Sequence, residues 1–449
     1  MSTQSVPQQP ARPWSRPGSV TDKISSTIFA ETPLWWWIGF SISAFFALMF
    51  VFVLASVALR GVGLWGINIP VVWGMGIVNL VFWIGIGHAG TFISAFLLLM
   101  RQHWRGTFSR FAEAMTLFAL ATAGMFPLFH VGRPEFIFWF APYPNTFVLN
   151  PQWRSPLVWD AIAISTYGLI SAVFWFLDLL PDLAAMRDKA DRPFAKAFYA
   201  VISMGWRGDA RHWERLHKTA FLLAVLATPL VISVHSVVGL DFAISNLPGW
   251  HHSIFPPYFV AGAVFSGLAM VLIVSIALRE AMGLQELISR EDIDKAAKLM
   301  FVTGLLVAYG YAAETFGAFY KGDIHELLVV VERAVGPYAP FFWGMIFFNV
   351  VVIQLLWFKR IRQNLGILFL ICVGILIGMW LERFVIVSIS LTYSYMPSIW
   401  DLFRFNVWDI MTLFAPFGFF FAQFFLFIRF FPVLPISETQ QLAIAESRE

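Results

Sequence analysis

The stretch VVWGMGIVNLVFWIGIGHAGTFISAFLLLMR, from Val71 to Arg101, decides how the rest of the chain is read. Its apolar run exceeds the ~20 residues that a helix needs to cross a hydrocarbon layer, and it ends on a basic loop. Inside it, His88 is flanked by Gly85, Gly87 and Gly90. Small residues let a neighbouring backbone come close in a membrane. A titratable ring at that depth is costly unless it has a partner or a task. The stretch therefore reads as a membrane span built around a buried polar site.

Composition carries that reading to the whole chain. Of 449 residues, 59% are hydrophobic and 13% charged, with a mean hydropathy of +0.72. Soluble domains carry roughly 25% charge, so the fold class is an all-α polytopic membrane protein. The net charge of +3 does not point to nucleic acid, because the basic residues cluster in short loops between apolar runs, as membrane topology requires. The single cysteine, Cys372, lies in an apolar run. It excludes a disulfide framework, a CxxCH haem attachment and a Cys-ligated iron–sulfur cluster within this chain. No metal site is expected.

Residues 1–32, with Pro7, Pro10, Pro13 and Pro17 among Ser and Gln, read as a flexible tail that lacks the features of a cleaved signal peptide. Apolar runs follow at about 34–59, 70–100, 111–131, 156–180, 216–239, 259–278, 298–319, 340–358, 365–390 and 407–431, about ten transmembrane helices within a domain at 33–431. Residues 432–449 read as a second tail. Alternate loops are rich in Lys and Arg: Arg101, Arg105 and Arg110; Arg187 through Arg215; Arg290, Lys295 and Lys298; Lys359, Arg360 and Arg362. The positive-inside rule makes these loops cytoplasmic and places both termini there.

That orientation puts the polar residues at depths. His130, Asp160, His235 and Asp241 fall near the outer ends of three successive spans, with His88 deeper; Glu314, Glu382 and Arg383 lie in outer halves. Adjacent helical residues point about 100° apart, so Glu382 and Arg383 are each expected to have their own partner. His251 and His252 read as ordinary loop residues. The blander reading of every one of these groups is an interhelical hydrogen bond or a side chain reaching for water. Histidine and aspartate converging in an apolar bundle suit quinol oxidation, which releases two electrons and two protons and needs acceptors near neutral with a carboxylate behind them. A haem would need paired histidines at matched depth, which this placement of His88 and His235 disfavours. An ion-coupled secondary transporter stays open on Gly74, Gly76, Gly85, Gly87 and Gly90, since broken helices mark that class. A structural membrane anchor stays open as well.

Six segments carry a family resemblance: WIGIGHAGTFISAFLLL from Trp83, RFAEAMTLFALATAG from Arg110, FPLFHVGRPEFIFWF from Phe126, RSPLVWDAIAISTY from Arg154, ATPLVISVHSVVGLDFAIS from Ala227 and IGMWLERFVIV from Ile377. They resemble NrfD/PsrC-type membrane subunits, most of all the large quinol-interacting subunits of bacterial alternative complex III. The resemblance implies two four-helix bundles, at about 70–240 and 258–391, with flanking helices. It implies a quinol or menaquinol bound as substrate near the periplasmic face, and no haem or iron–sulfur cluster in this chain. It implies as partners a peripheral iron–sulfur protein, multihaem cytochrome c subunits and a second NrfD-like subunit, in a bacterial inner membrane and in a respiratory or photosynthetic chain. By the same resemblance His130 and Asp160 are the catalytic pair. His88, Ala89, Thr91, His235, Asp241 and Arg383 are further quinol-binding candidates. The segment GDARHWERLHK after Trp206 favours the quinol-oxidising member of the two related subunits. A proton path through Glu113, Asp178, His217, Glu314 and Glu382 is a further expectation; those near the inner side could equally be snorkelling.

Overall fold

The structure, a computed structural model, describes residues 17–140 and 153–446. Its helices in chain order are α1 (Pro17–Phe29), α2 (Leu34–Arg60), α3 (Met75–Leu99), α4 (Arg105–His130), α5 (Pro156–Lys189), α6 (Pro193–Ile202) and α7 (Ala210–Ala243). They continue with α8 (Phe255–Ala281), α9 (Arg290–Lys321), α10 (Ile324–Val335), α11 (Ala339–Trp357), α12 (Leu365–Thr392), α13 (Val407–Phe430) and α14 (Ile436–Glu446). There is no strand among the described residues. Ten of these helices are long and apolar enough to cross a membrane, which makes the protein an all-α polytopic membrane protein. Only helices and closed barrels satisfy every backbone polar group in lipid.

Several helix ends lie beyond the apolar runs. Helix α4 starts at Arg105, α7 at Ala210 and α9 at Arg290, and α5 continues to Lys189. Hydropathy marks the lipid-immersed part of a helix, whereas hydrogen bonding continues into the charged turns outside it. Asp209 and Ser289 cap α7 and α9 by accepting the amides of His212 and Asp292. Asn406 and Asp409 close a reciprocal capping box at the start of α13.

Helix α3 packs on α4, α7 and α8, and α5 packs on α7; α8 packs on α9 and α12, and α11 on α12, while α2 and α13 pair with each other. The seam between the two groups is the α3–α8 contact, and the central windows of both helices are 83% buried, against 28% for α2. Glycine makes the close approaches possible. A Cβ at Gly90 would land on the Ala112 carbonyl of α4, and one at Gly267 on the Ala89 side chain of α3. Helix α3 runs unbroken through Gly85, Gly87 and Gly90. Three of the glycines that kept a transporter open, Gly85, Gly87 and Gly90, therefore do not break the helix.

The expected tails are partly helical. Residues 1–16 and 447–449 lie outside the described residues, but α1 buries Val20, Ile24 and Ile28, one stripe at four-residue spacing, and packs on α14. Polar contacts tie it down: Lys189 Nζ to Asp22 (2.7 Å), Lys23 Nζ to Glu286 (2.7 Å) and Gln440 Nε2 to Thr21 (2.9 Å). The Pro- and Ser-rich composition hid this short amphipathic stripe.

Candidate functional site

Buried polar residues fall into three clusters. The first joins α3, α5 and α7. The rings of His88 and His235, both fully buried, meet through their Nδ1 atoms at 2.9 Å. The expected depths misplaced His235. It lies six residues before Asp241, about 9 Å along a helix axis, which carries it down to the level of His88. Two neutral imidazoles sharing this bond must be different tautomers: the donor keeps a bare Nε2 and the acceptor carries its proton on Nε2. Neither Nε2 has a partner among the described residues. The separation is that of a direct hydrogen bond. Tyr167 of α5 lies 4.8 Å from the His88 ring and donates to the Gly87 carbonyl at 3.0 Å.

Nearer the end of the same group, Asp160 of α5 and Asp241 of α7 bring their carboxyls close together. Two carboxyls can hydrogen-bond to each other only when at least one is protonated. Oδ1 of each has no partner among the described residues. His130, half-buried at the end of α4, lies against α3, where a Cβ on Gly76 would meet its Nδ1 at 3.3 Å. The other candidates diverge. Ala89 packs on Gly267 at the seam, and Thr91 is buried with its amide donating to Thr116 Oγ1 at 2.8 Å.

The second cluster sits at the basic-loop face. Arg105 and Arg110, expected in a solvated loop, are both buried. Arg105 reaches Asp178 (2.5 Å), Glu113 (3.5 Å) and Glu438 of α14. Arg110 pairs with Asp182 at 2.6 Å, and Asp182 also accepts the Ile436 amide. Glu113 accepts from Ser94 and has its other oxygen unpartnered. Burial, then the Asp178 charge, push Glu438 above the usual carboxylate range, with Arg105 opposing. Of the proton-path candidates, Glu113 and Asp178 are thus joined through Arg105. His217 is exposed, stacked on Trp213 at 5.7 Å, and lies outside the cluster.

The third cluster lies among α8, α9, α11 and α12. Glu382 accepts from Tyr311 at 2.5 Å, and Asn349 donates to the Tyr311 hydroxyl at 2.8 Å. Arg383 lies over the Phe259 ring at 4.4 Å, and His235 of the first cluster lies 6.0 Å from the same ring. Glu382 and Arg383 have separate partners, as helical geometry requires, yet their flexible heads also meet at 2.6 Å. The contact is not aligned as a hydrogen bond. Helices α11 and α12 widen into π turns at Phe347–Val351, which holds Asn349, and at Val385–Ile389, just after Arg383. Such turns mark functional positions more often than plain helix does.

Next to Glu382, Tyr258, Tyr311, Glu314 and Arg333 line a cavity of about 30 Å³, enough for a water. Arg333 pairs with Glu314 at 2.6 Å and donates to Ser390 at 2.7 Å. His252, read as an ordinary loop residue, is buried and meets Glu326 at 3.0 Å. Glu326 also accepts the Gly249 amide at 3.1 Å. Tyr167, Asp182, Glu438, Tyr311, Asn349, Arg333 and Glu326 were missed by sequence reasoning, since hydroxyls, amides and helix-end charges are common where nothing happens. The one available signal was the spacing of Arg105 and Arg110 against Asp178 and Asp182, complementary charges four or five apart on two adjacent spans.

Comparison with known proteins bears on the same region. Residues 64–393 match the protein family described as "Polysulphide reductase, NrfD". Over 236 residues the chain is 30% identical to a Halobacterium salinarum protein named as a "Putative dimethyl sulfoxide reductase membrane subunit", a match covering 50% of each protein. The chain thus spans about half the length of the curated relative it matches.

Proposed function

This chain belongs to the NrfD, polysulphide reductase, family, and from that premise we propose that it is the membrane subunit of a quinol-oxidising electron-transfer complex of the alternative complex III type. The observation that carries this reading is the Asp160–Asp241 carboxyl pair, one unpartnered oxygen on each, at the end of the first helix group. In the proposed topology that end faces the periplasm and the basic loops face the cytoplasm of a bacterial inner membrane.

A quinol or menaquinol head group between α4, α5 and α7 would meet Asp160 and Asp241 on one side and His130 on the other. Oxidation releases two protons. In this reading Asp160 takes one and passes it outward, and His130 takes the second. The apolar walls hold the isoprenoid tail. The two electrons leave for iron–sulfur clusters of a peripheral partner, and a second related membrane protein with multihaem cytochromes completes the assembly; the chain itself supplies binding and proton transfer.

A buried polar column gives this reading its coupled form. Its parts are Glu438, Arg105, Glu113 and Ser94 in one linked set, Thr91 with Thr116, Tyr167 beside His88 and His235, and, on the far side of the Phe259 ring, Arg383, Glu382 and Tyr311 with Glu314 and Arg333 near by. The His88–His235 pair can accept a proton at one Nε2 and release one from the other, which is what a relay needs.

The test is quinol oxidation by the assembled complex carrying Asp160→Asn or His130→Ala. Each variant is expected to fall by about 100-fold or more, the range for losing a positioned acid or base. Turnover equal to that of the unaltered complex, with assembly intact, would remove the pocket from this face.

A further inference from the structure

On the basic-loop face, the ends of α8 and α12 frame a groove of about 810 Å³ that the clusters above do not touch. Its upper rim is cationic. Arg290 and Arg360 line it, both exposed and neither with a carboxylate partner among the described residues. The neighbouring Arg362, by contrast, is bound to Asp294 at 2.8 Å. Glu280 also reaches the groove, but Arg279 and Gln285 already engage it. The two guanidiniums are therefore left uncompensated.

The rim offers more than charge. Gln363 and Asn364 add carboxamides, and Leu365 and Gly366 are the first residues of α12, whose free amides and positive dipole end face the same space. Below the rim the wall turns apolar, with Ile276, Phe369 and Leu370 of the membrane-spanning segments. Leu370 is 69% exposed. A ligand matching both halves has an anionic phosphodiester above and alkyl chains below.

We propose that this groove binds a phospholipid with a net negative head group, such as phosphatidylglycerol, from the leaflet on the basic-loop side. Basic pockets between membrane helices select anionic head groups in this way, at roughly fivefold in affinity for each Lys or Arg near the phosphate. The volume is large enough for a lipid head group and the upper part of its chains.

Native mass spectrometry of the purified full chain, titrated with phosphatidylglycerol or with phosphatidylcholine, tests the assignment. Phosphatidylglycerol is expected to be retained about tenfold or more tightly, and the double variant R290Q/R360Q to lose that preference. Arg207→Gln, a change on the same face outside the groove, is expected to leave it intact. Equal retention of the two lipids by the unaltered chain would overturn the proposal, as would an unchanged preference in the double variant. Displacement of phosphatidylglycerol by millimolar inorganic phosphate alone would also overturn it, marking a site for free anions. Both arginines are exposed, so the variant is expected to keep its melting temperature in lipid-free detergent, which separates lost binding from lost fold.

Discussion

Two neutral imidazoles sharing one hydrogen bond store a direction, since one outer nitrogen is bare and the other protonated. In the His88–His235 pair both outer nitrogens are buried without partners among the described residues, a state that costs about 1–3 kcal/mol per group when nothing compensates it. That cost is the residue-scale argument for a task. His252 and Glu326 show the opposite case, a pair whose atoms are satisfied. Burial alone would raise the Glu326 carboxyl, but the His252 hydrogen bond and charge, with the Gly249 amide, outweigh it and hold the group below the usual range. Its contribution is therefore present above the ordinary carboxylate value and is lost as pH falls through the lowered one. Glu326→Gln is expected to loosen the 245–254 loop by about 2 kcal/mol, as for a buried pair losing one partner. Hydrogen exchange at the Gly249 amide would speed up accordingly in the variant, and in the unaltered protein only in acid; unaltered exchange in the variant would refute the assignment.

At the scale of elements, close approach decides what each helix tolerates. Gly90 lies where a Cβ would fall on the Ala112 carbonyl, so Gly90→Leu is expected to part α3 from α4 and to cost about 3 kcal/mol or more, in the manner of an overpacked core. The readout is a lower melting temperature in detergent, whereas the same change at Gly63, with nothing within 4 Å, leaves it in place. Helix α14 is an element with a different duty. Through Glu438 and the Ile436 amide it closes the buried cluster around Arg105 and Arg110. Removing residues 435–449 is expected to open that cluster to water, seen as faster exchange at the α4 amides near Glu113 and a quinol turnover that loses its coupling to proton uptake. Protection of those amides in the truncated chain would exclude the closing role.

For the whole molecule, the two helix groups are joined by a seam of small residues, and the polar column crosses it beside Phe259. If the column carries protons, Glu382→Gln is expected to leave quinol oxidation within about twofold while lowering proton release by vesicles containing the assembled complex at least tenfold. Parallel loss of both activities would place Glu382 in the redox site instead. Hydropathy and loop charge alone set the ten spans and the helical class, because lipid contact is read residue by residue along one helix. The shared depth of Asp160 and Asp241 was within reach for the same reason, as both lie near the helix ends away from the basic loops. His88 with His235, Arg105 with Glu438, and His252 with Glu326 join residues 147, 333 and 74 positions apart. Which partner a buried side chain finds depends on how the helices rotate and slide against each other, and that is settled by packing at glycines such as Gly90 and Gly267, a property of pairs of helices that a single span does not carry.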